Sequence, residues 1–298
     1  MEILRTPDER FKDLPDYPFQ ANYIDVEGIR IHYLDEGENE EELILLMHGE
    51  PSWSYLYRNM IPILIKAGFR ILAPDLVGFG KSDKPKNKQD HSYANHVRWI
   101  EKWLNKLDLQ NITLFCQDWG SLIGLRVAVA NQDRFKRIVL SNGGLPTGAG
   151  RMSEAFLQWQ KYSQTSPDFE VGAIIQMGTA HDTPEDILNA YRAPFPDDSF
   201  HAGPRVMPSL VPTSPNDPEH IPNTQAREQF KHWTKPFLTC FSDSDPITQG
   251  GDRMWQKIVP GAQGVNHTVV EGGGHFVQED CGPELAEIII KFIEDTKS

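Results

Sequence analysis

Residues 116–120 read Cys-Gln-Asp-Trp-Gly and follow an apolar run, with a helical pattern opening behind them. Small residues two before and two after Asp118 suit a sharp strand–turn–helix bend that projects its central side chain. A hydroxyl at such a bend needs a base to activate it, whereas an aspartate carboxylate is ionised at neutral pH and attacks directly. At a saturated carbon that attack would expel a leaving group and join the substrate to the chain as an ester. Taken alone, the stronger reading of Asp118 is a helix N-cap whose oxygens accept from early backbone N–H groups.

Two downstream segments bear on that choice. Residues 241–246, Phe-Ser-Asp-Ser-Asp-Pro, end a strand-like run in acids, and residues 272–276, Gly-Gly-Gly-His-Phe, put His275 in a flexible loop before the last helix. Nucleophile, acid, histidine is the chain order of α/β-hydrolase triads. It assigns Asp118, Asp245 and His275, with Asp243 as the fallback acid. His48-Gly49-Glu50-Pro51 follows the third strand-like run, where this fold supplies a backbone N–H to an oxyanion hole. The expected donors are the amides of Glu50 and Trp119. His48 and His267 sit at strand ends and read as satisfied structural residues. Residues 75–82 read as a structural turn without chemistry.

Such side chains need a scaffold that brings positions 118, 245 and 275 together. Residues 21–26 and 29–35 alternate around Glu27-Gly28 as a hairpin. Residues 43–48 form a continuous apolar run, as a strand covered on both faces requires. Helical spacing over 53–67, a strand over 69–74, a helix over 92–107, a strand over 112–116, a helix over 121–130 and a strand over 137–141 follow in turn. Val97, Ile100, Leu104 and Leu107 are the expected buried side of the helix over 92–107. Alternation stops after Asn142-Gly143-Gly144 and resumes with strands over 237–242 and 268–271 and helices over 250–258 and 284–295. This pattern predicts an α/β-hydrolase fold, with a mostly parallel eight-stranded sheet, helices on both faces and an inserted helical cap. The expected division is core over 1–144 and 223–298, cap over 145–222.

A formal charge of −13 repels polyphosphate and argues against a nucleic-acid partner. No run approaches the roughly 20 apolar residues that span a bilayer, and the first residues lack the apolar stretch of a signal peptide. Three scattered cysteines suit a reducing cytoplasm. His267, His275 and Cys281 lack a zinc spacing, so neither a metal nor a cofactor is expected. Nothing demands a partner chain, and a monomer is expected.

The motifs HGEPSWSYLYR (48–58), CQDWG (116–120), APFPD (193–197), FSDSDPIT (241–248) and GGGHFVQED (272–280) together resemble the haloalkane dehalogenases, particularly the subfamily typified by hydrolysis of small dihaloalkanes. They fall in order over nearly the whole chain. Cys-Gln before Asp118 and the HGEP–APFPD combination are the specific elements, and Ser121 departs from a glycine frequent in that family. The resemblance implies a small haloalkane substrate, water as co-substrate and a released halide held by two indole N–H groups, those of Trp119 and the cap residue Trp159. An indole donates only and can solvate an anion without competing for protons. An epoxide hydrolase would share the nucleophile and histidine and add two cap tyrosines, for which Tyr162 and Tyr191 are available. A non-catalytic small-ligand binder on the same fold is the third reading. No Ser occupies the bend, which argues against a serine esterase.

Overall fold

The computed structural model describes residues 1–297. Its centre is an eight-stranded sheet built from β1 (Asn22–Val26), β2 (Ile29–Glu36), β3 (Leu43–Met47), β4 (Arg70–Pro74), β5 (Ile112–Gln117), β6 (Phe135–Gly143), β7 (Phe237–Ser242) and β8 (Thr268–Val270). Their spatial order is β8-β7-β6-β5-β3-β4-β2-β1. Only β2 pairs antiparallel with its neighbours; the other contacts from β3 to β8 are parallel. Every residue of β3, β5 and β7 is buried, which is why these strands read as unbroken apolar runs rather than alternating ones.

Helices α1 (Ile61–Lys66), α2 (Tyr93–Lys106), α3 (Asp118–Ala130), α9 (Asp252–Ile258) and α10 (Val277–Asp295) cover the sheet. Between β6 and β7 run five more: α4 (Glu154–Thr165), α5 (Val171–Gly178), α6 (Glu185–Arg192), α7 (Ala202–Leu210) and α8 (His220–Phe230), with no strand among them. The division expected at residue 222 falls inside α8. That helix is tied to α3 through Arg126, which donates to Glu219 at 3.0 Å and to Asn223 at 2.8 Å.

Local departures have local causes. The helix expected over 53–67 splits into a 3₁₀ turn at Ser54–Tyr57 and the short α1. Pro62 lacks an N–H and can sit only in the first turn of a helix, so α1 begins beside it. Helix α2 buries Tyr93, His96, Trp99, Ile100, Trp103 and Leu104, whereas Val97 and Leu107 are only partly covered. The sequence pattern located the helix but rotated its buried stripe, because the aromatic and histidine side chains carry more of the contact than their polarity suggests. Helix α10 starts seven residues earlier than expected, and Cys281, with non-helical dihedrals just before Pro283, breaks it in two.

Candidate active site

Parallel strands end at one edge, and open α/β sheets place their sites there. Asp118, Asp245 and His275 all follow strand ends on that edge. Asp118 opens α3 directly after β5 with φ = 48°, a left-handed conformation costly for a residue bearing a Cβ. Glycines make the bend possible. A Cβ on Gly120 would lie 1.9 Å from the Met47 carbonyl oxygen, and one on Gly49 would lie 2.3 Å from Asp118 Oδ1.

The carboxylate is not spent on capping its own helix. Asp118 Oδ1 accepts the Glu50 backbone N–H at 2.8 Å, and Oδ2 lies 3.5 Å from His275 Nε2. On the other side of the imidazole, Nδ1 meets Asp245 Oδ2 at 3.0 Å. Asp245 is buried and accepts the Ile247 amide at 2.9 Å and the Thr248 hydroxyl. The structure thus brings the expected trio together, along with the Glu50 amide. Asp243 is exposed and accepts from the Ser244 hydroxyl and the Gly272 amide, apart from the imidazole. Among the described residues the Trp119 amide makes no hydrogen bond to the Asp118 carboxylate.

Charge couples the three. Burial opposes a proton on His275, yet the Asp245 and Asp118 carboxylates outweigh it and push the imidazole up to about 10. Burial likewise opposes charge on Asp245, but His275, Thr248 and the Ile247 amide hold it down at about 2. The Glu50 side chain is different. It is buried beside Asp118, its Oε1 has no partner, and burial reinforced by that neighbour holds it well above the usual carboxylate range.

The histidine loop is held from below by residues whose part the sequence did not reveal. Asn142 donates to the Gly274 carbonyl at 2.8 Å and the His275 carbonyl at 3.2 Å, and its Oδ1 accepts the Ser242 amide at 2.8 Å. Gln117 donates to the His275 carbonyl at 3.1 Å and itself accepts from Gln278. One signal was available: Asn142 and Gln117 are polar residues at the carboxyl ends of otherwise apolar strands, where an uncompensated amide would be costly. His48 is structural as expected, accepting the Leu76 amide on Nε2. So is Asp75, which gathers the Ser54 and Lys81 amides and His32.

A cavity of about 1120 Å³ opens above the trio, lined by Asp118, Trp119, Phe156, Trp159, His275 and residues of α4, α5, α8 and α9. Trp119 packs edge-on against Tyr93, and Trp159 stacks on Tyr162. Neither indole N–H has a protein acceptor among the described residues. Tyr191 is buried outside this cavity and donates to Glu279 at 2.5 Å, and the Tyr162 hydroxyl donates to the Asp168 carbonyl. The pair of free tyrosine hydroxyls that epoxide opening would use is therefore not assembled.

The α/β-hydrolase fold family matches residues 42–280. A haloalkane dehalogenase of Psychrobacter cryohalolentis is 52% identical, with 99% of each chain covered. One from Mycobacterium marinum is 48% identical over 98% of this chain and all of its own. The chain belongs to the haloalkane dehalogenases of the α/β-hydrolase fold. A solved neighbour, the tetrameric haloalkane dehalogenase of Paraglaciecola agarilytica, superposes with a TM-score of 0.90 at 36% identity, covering 97% of both chains. This dehalogenase is thus a hydrolase of carbon–halogen bonds, and the epoxide-hydrolase and binding-protein readings fall away.

Proposed function

We propose that the chain hydrolyses small haloalkanes to alcohol and halide through an ester on Asp118. The observation that carries this reading is the Asp118 carboxylate itself, with one oxygen held by the Glu50 amide and the other facing His275. Asp118 Oδ2 attacks the halogen-bearing carbon in line; the carbon–oxygen bond forms as the carbon–halogen bond breaks and the halide takes the electron pair. Trp119 and Trp159 are the donors to that anion. Both line the cavity, and dry aromatic walls strengthen such a bond.

Esterification removes one of the two carboxylate charges that hold the proton on His275. The imidazole then releases its proton more readily and serves as base. It takes a proton from water, the hydroxide adds to the Asp118 carbonyl carbon, and the Glu50 and Trp119 amides receive the oxyanion. Collapse expels the alkoxide, which takes the proton of the added hydroxyl and leaves as alcohol, and the carboxylate is restored. Asp245 orients the imidazole throughout. The inserted helices α4 to α7 form the cap that closes the cavity. All these groups come from one chain, so a single chain holds a complete site, and the buried free thiols of Cys116 and Cys240 support a reducing, cytoplasmic setting.

His275→Phe tests the scheme. It should release one equivalent of bromide from 1,2-dibromoethane and retain the ester, visible as added mass on the peptide containing Asp118. Sustained turnover by that variant would refute it.

A further inference from the structure

One wing of the cavity is not used by this chemistry. Gly143 pairs with Asp118, and from there the wall runs through Gly144 and Leu145 to α8 and α9. Arg227, on α8, lies in that wall, half-buried, with Nη2 donating to the Leu145 carbonyl at 2.8 Å. Its Nε is sealed from solvent and has no acceptor among the described residues. No carboxylate lies within ion-pair distance of it among the described residues; the exposed neighbour Glu228 gives partial compensation from outside. Trp255, on α9, is 1% exposed and borders the same wing. Its Nε1 has no acceptor among the described residues and would lie 3.3 Å from a Cβ built on Gly144, so glycine keeps the space before the indole open.

A guanidinium and an indole carry hydrogen-bond donors and no acceptor. A half-buried cation without a counterion is costly, and an anion or strong acceptor entering beside it recovers that cost. The overall negative charge slows the approach of anions but is screened beyond roughly 8 Å at physiological salt, whereas this cation acts at contact. The wing starts two residues from Gly143, at most roughly 7 Å further along the chain. An anionic group beside Arg227 can bind there while the other end of the same molecule reaches Asp118.

We propose that the wing walled by Arg227 and Trp255 is an anion subsite, and that it receives the carboxylate of a haloalkane bearing its acid at the end opposite the halogen. This rests on the reading of Asp118 as nucleophile in the same cavity. Free halide leaving the site has the same chemistry and is the other source of an anion.

The test compares 8-bromooctanoate with 1-bromooctane, and 4-bromobutanoate with 1-bromobutane, in the wild type and in Arg227→Met and Arg227→Lys. Losing a hydrogen-bonded charge at the tail should raise KM for 8-bromooctanoate about tenfold or more relative to KM for 1-bromooctane in Arg227→Met, with partial recovery in Arg227→Lys. The four-carbon acid, whose shorter chain keeps its carboxylate nearer Asp118, should discriminate less. Bromide inhibition measured alongside separates the sources. A tenfold weaker bromide inhibition with no change in the bromooctanoate ratio retains the anion site but overturns the tail assignment. Calorimetric binding of octanoate, which needs no turnover, tests the subsite even if neither bromoalkane is hydrolysed, a result that would count against the parent reading alone. Equal octanoate affinity in wild type and Arg227→Met, with both kinetic ratios unchanged, overturns the proposal.

Discussion

Replacing Glu279 by Gln keeps the shape of the side chain and removes the charge that a buried guanidinium grips. Arg58 and Glu279 are almost fully buried and meet through two hydrogen bonds of 2.7 and 2.6 Å. Tyr191 donates to the same carboxylate at 2.5 Å, so this one group joins the segment after β3, the start of α10 and cap helix α6. In Glu279→Gln the amide offers one acceptor where two were used and turns an N–H toward a donor. Among the described residues the Arg58 Nε already lacks a partner, and the guanidinium's remaining supports are the face of the Tyr55 ring and a long contact of 3.4 Å to the Tyr55 carbonyl. Breaking one side of a buried ion pair typically costs about 3–5 kcal/mol, and the loss of the Tyr191 contact places this site toward the upper end. Urea unfolding followed by circular dichroism should show that loss. The paired replacement Arg58→Met with Glu279→Met should recover much of it, because no charge is left stranded. A Glu279→Gln stability within about 1 kcal/mol of wild type, or a double variant no better than the single, would refute the reasoning.

The His275–Asp245 pair sets a pH window. His275 is raised to about 10, so its contribution is whole below its ordinary value and is lost as pH rises through about 10. Asp245 is lowered to about 2, so its contribution is present above its ordinary value and is lost as pH falls through about 2. Asp245→Asn should therefore destabilise most between about pH 4 and 6.5, and thermal melts of the two proteins should converge toward pH 10; a gap that widens with rising pH would contradict this. Trp159→Phe should weaken bromide quenching of tryptophan fluorescence and lower kcat for bromoalkanes about tenfold or more, since one charge-assisted donor is lost. Unchanged quenching and kcat would remove Trp159 from the halide site.

Much of this was readable before any coordinates. The bend at Asp118 announces itself through small residues at 116 and 120, and Gly120 is irreplaceable because a Cβ there would run into the Met47 carbonyl oxygen. The unbroken apolar strands gave the parallel sheet, and the end of alternation after residue 144 marked the inserted helices. What stayed hidden depends on distances between segments far apart in the chain. Asn142 and Gln117 look like ordinary strand-end polar residues until the fold lays the His275 loop across them. Arg227 looks like a surface helix residue until the cavity reaches it. Trp255 reads as core, and it does pack on Phe230 and Phe237, yet its indole nitrogen borders open space. The turn after β4 turns its acid inward, where Asp75 is taken up by His32 and two backbone amides.

The most direct test of the ester is a single turnover in ¹⁸O-labelled water with enzyme in excess over substrate. Water attacks the Asp118 carbonyl carbon, so the label should appear in the Asp118 carboxylate and the first alcohol formed should carry unlabelled oxygen from the protein. Label in that first alcohol, with none in the Asp118 peptide, would mean that water displaces the halide directly and would contradict the account.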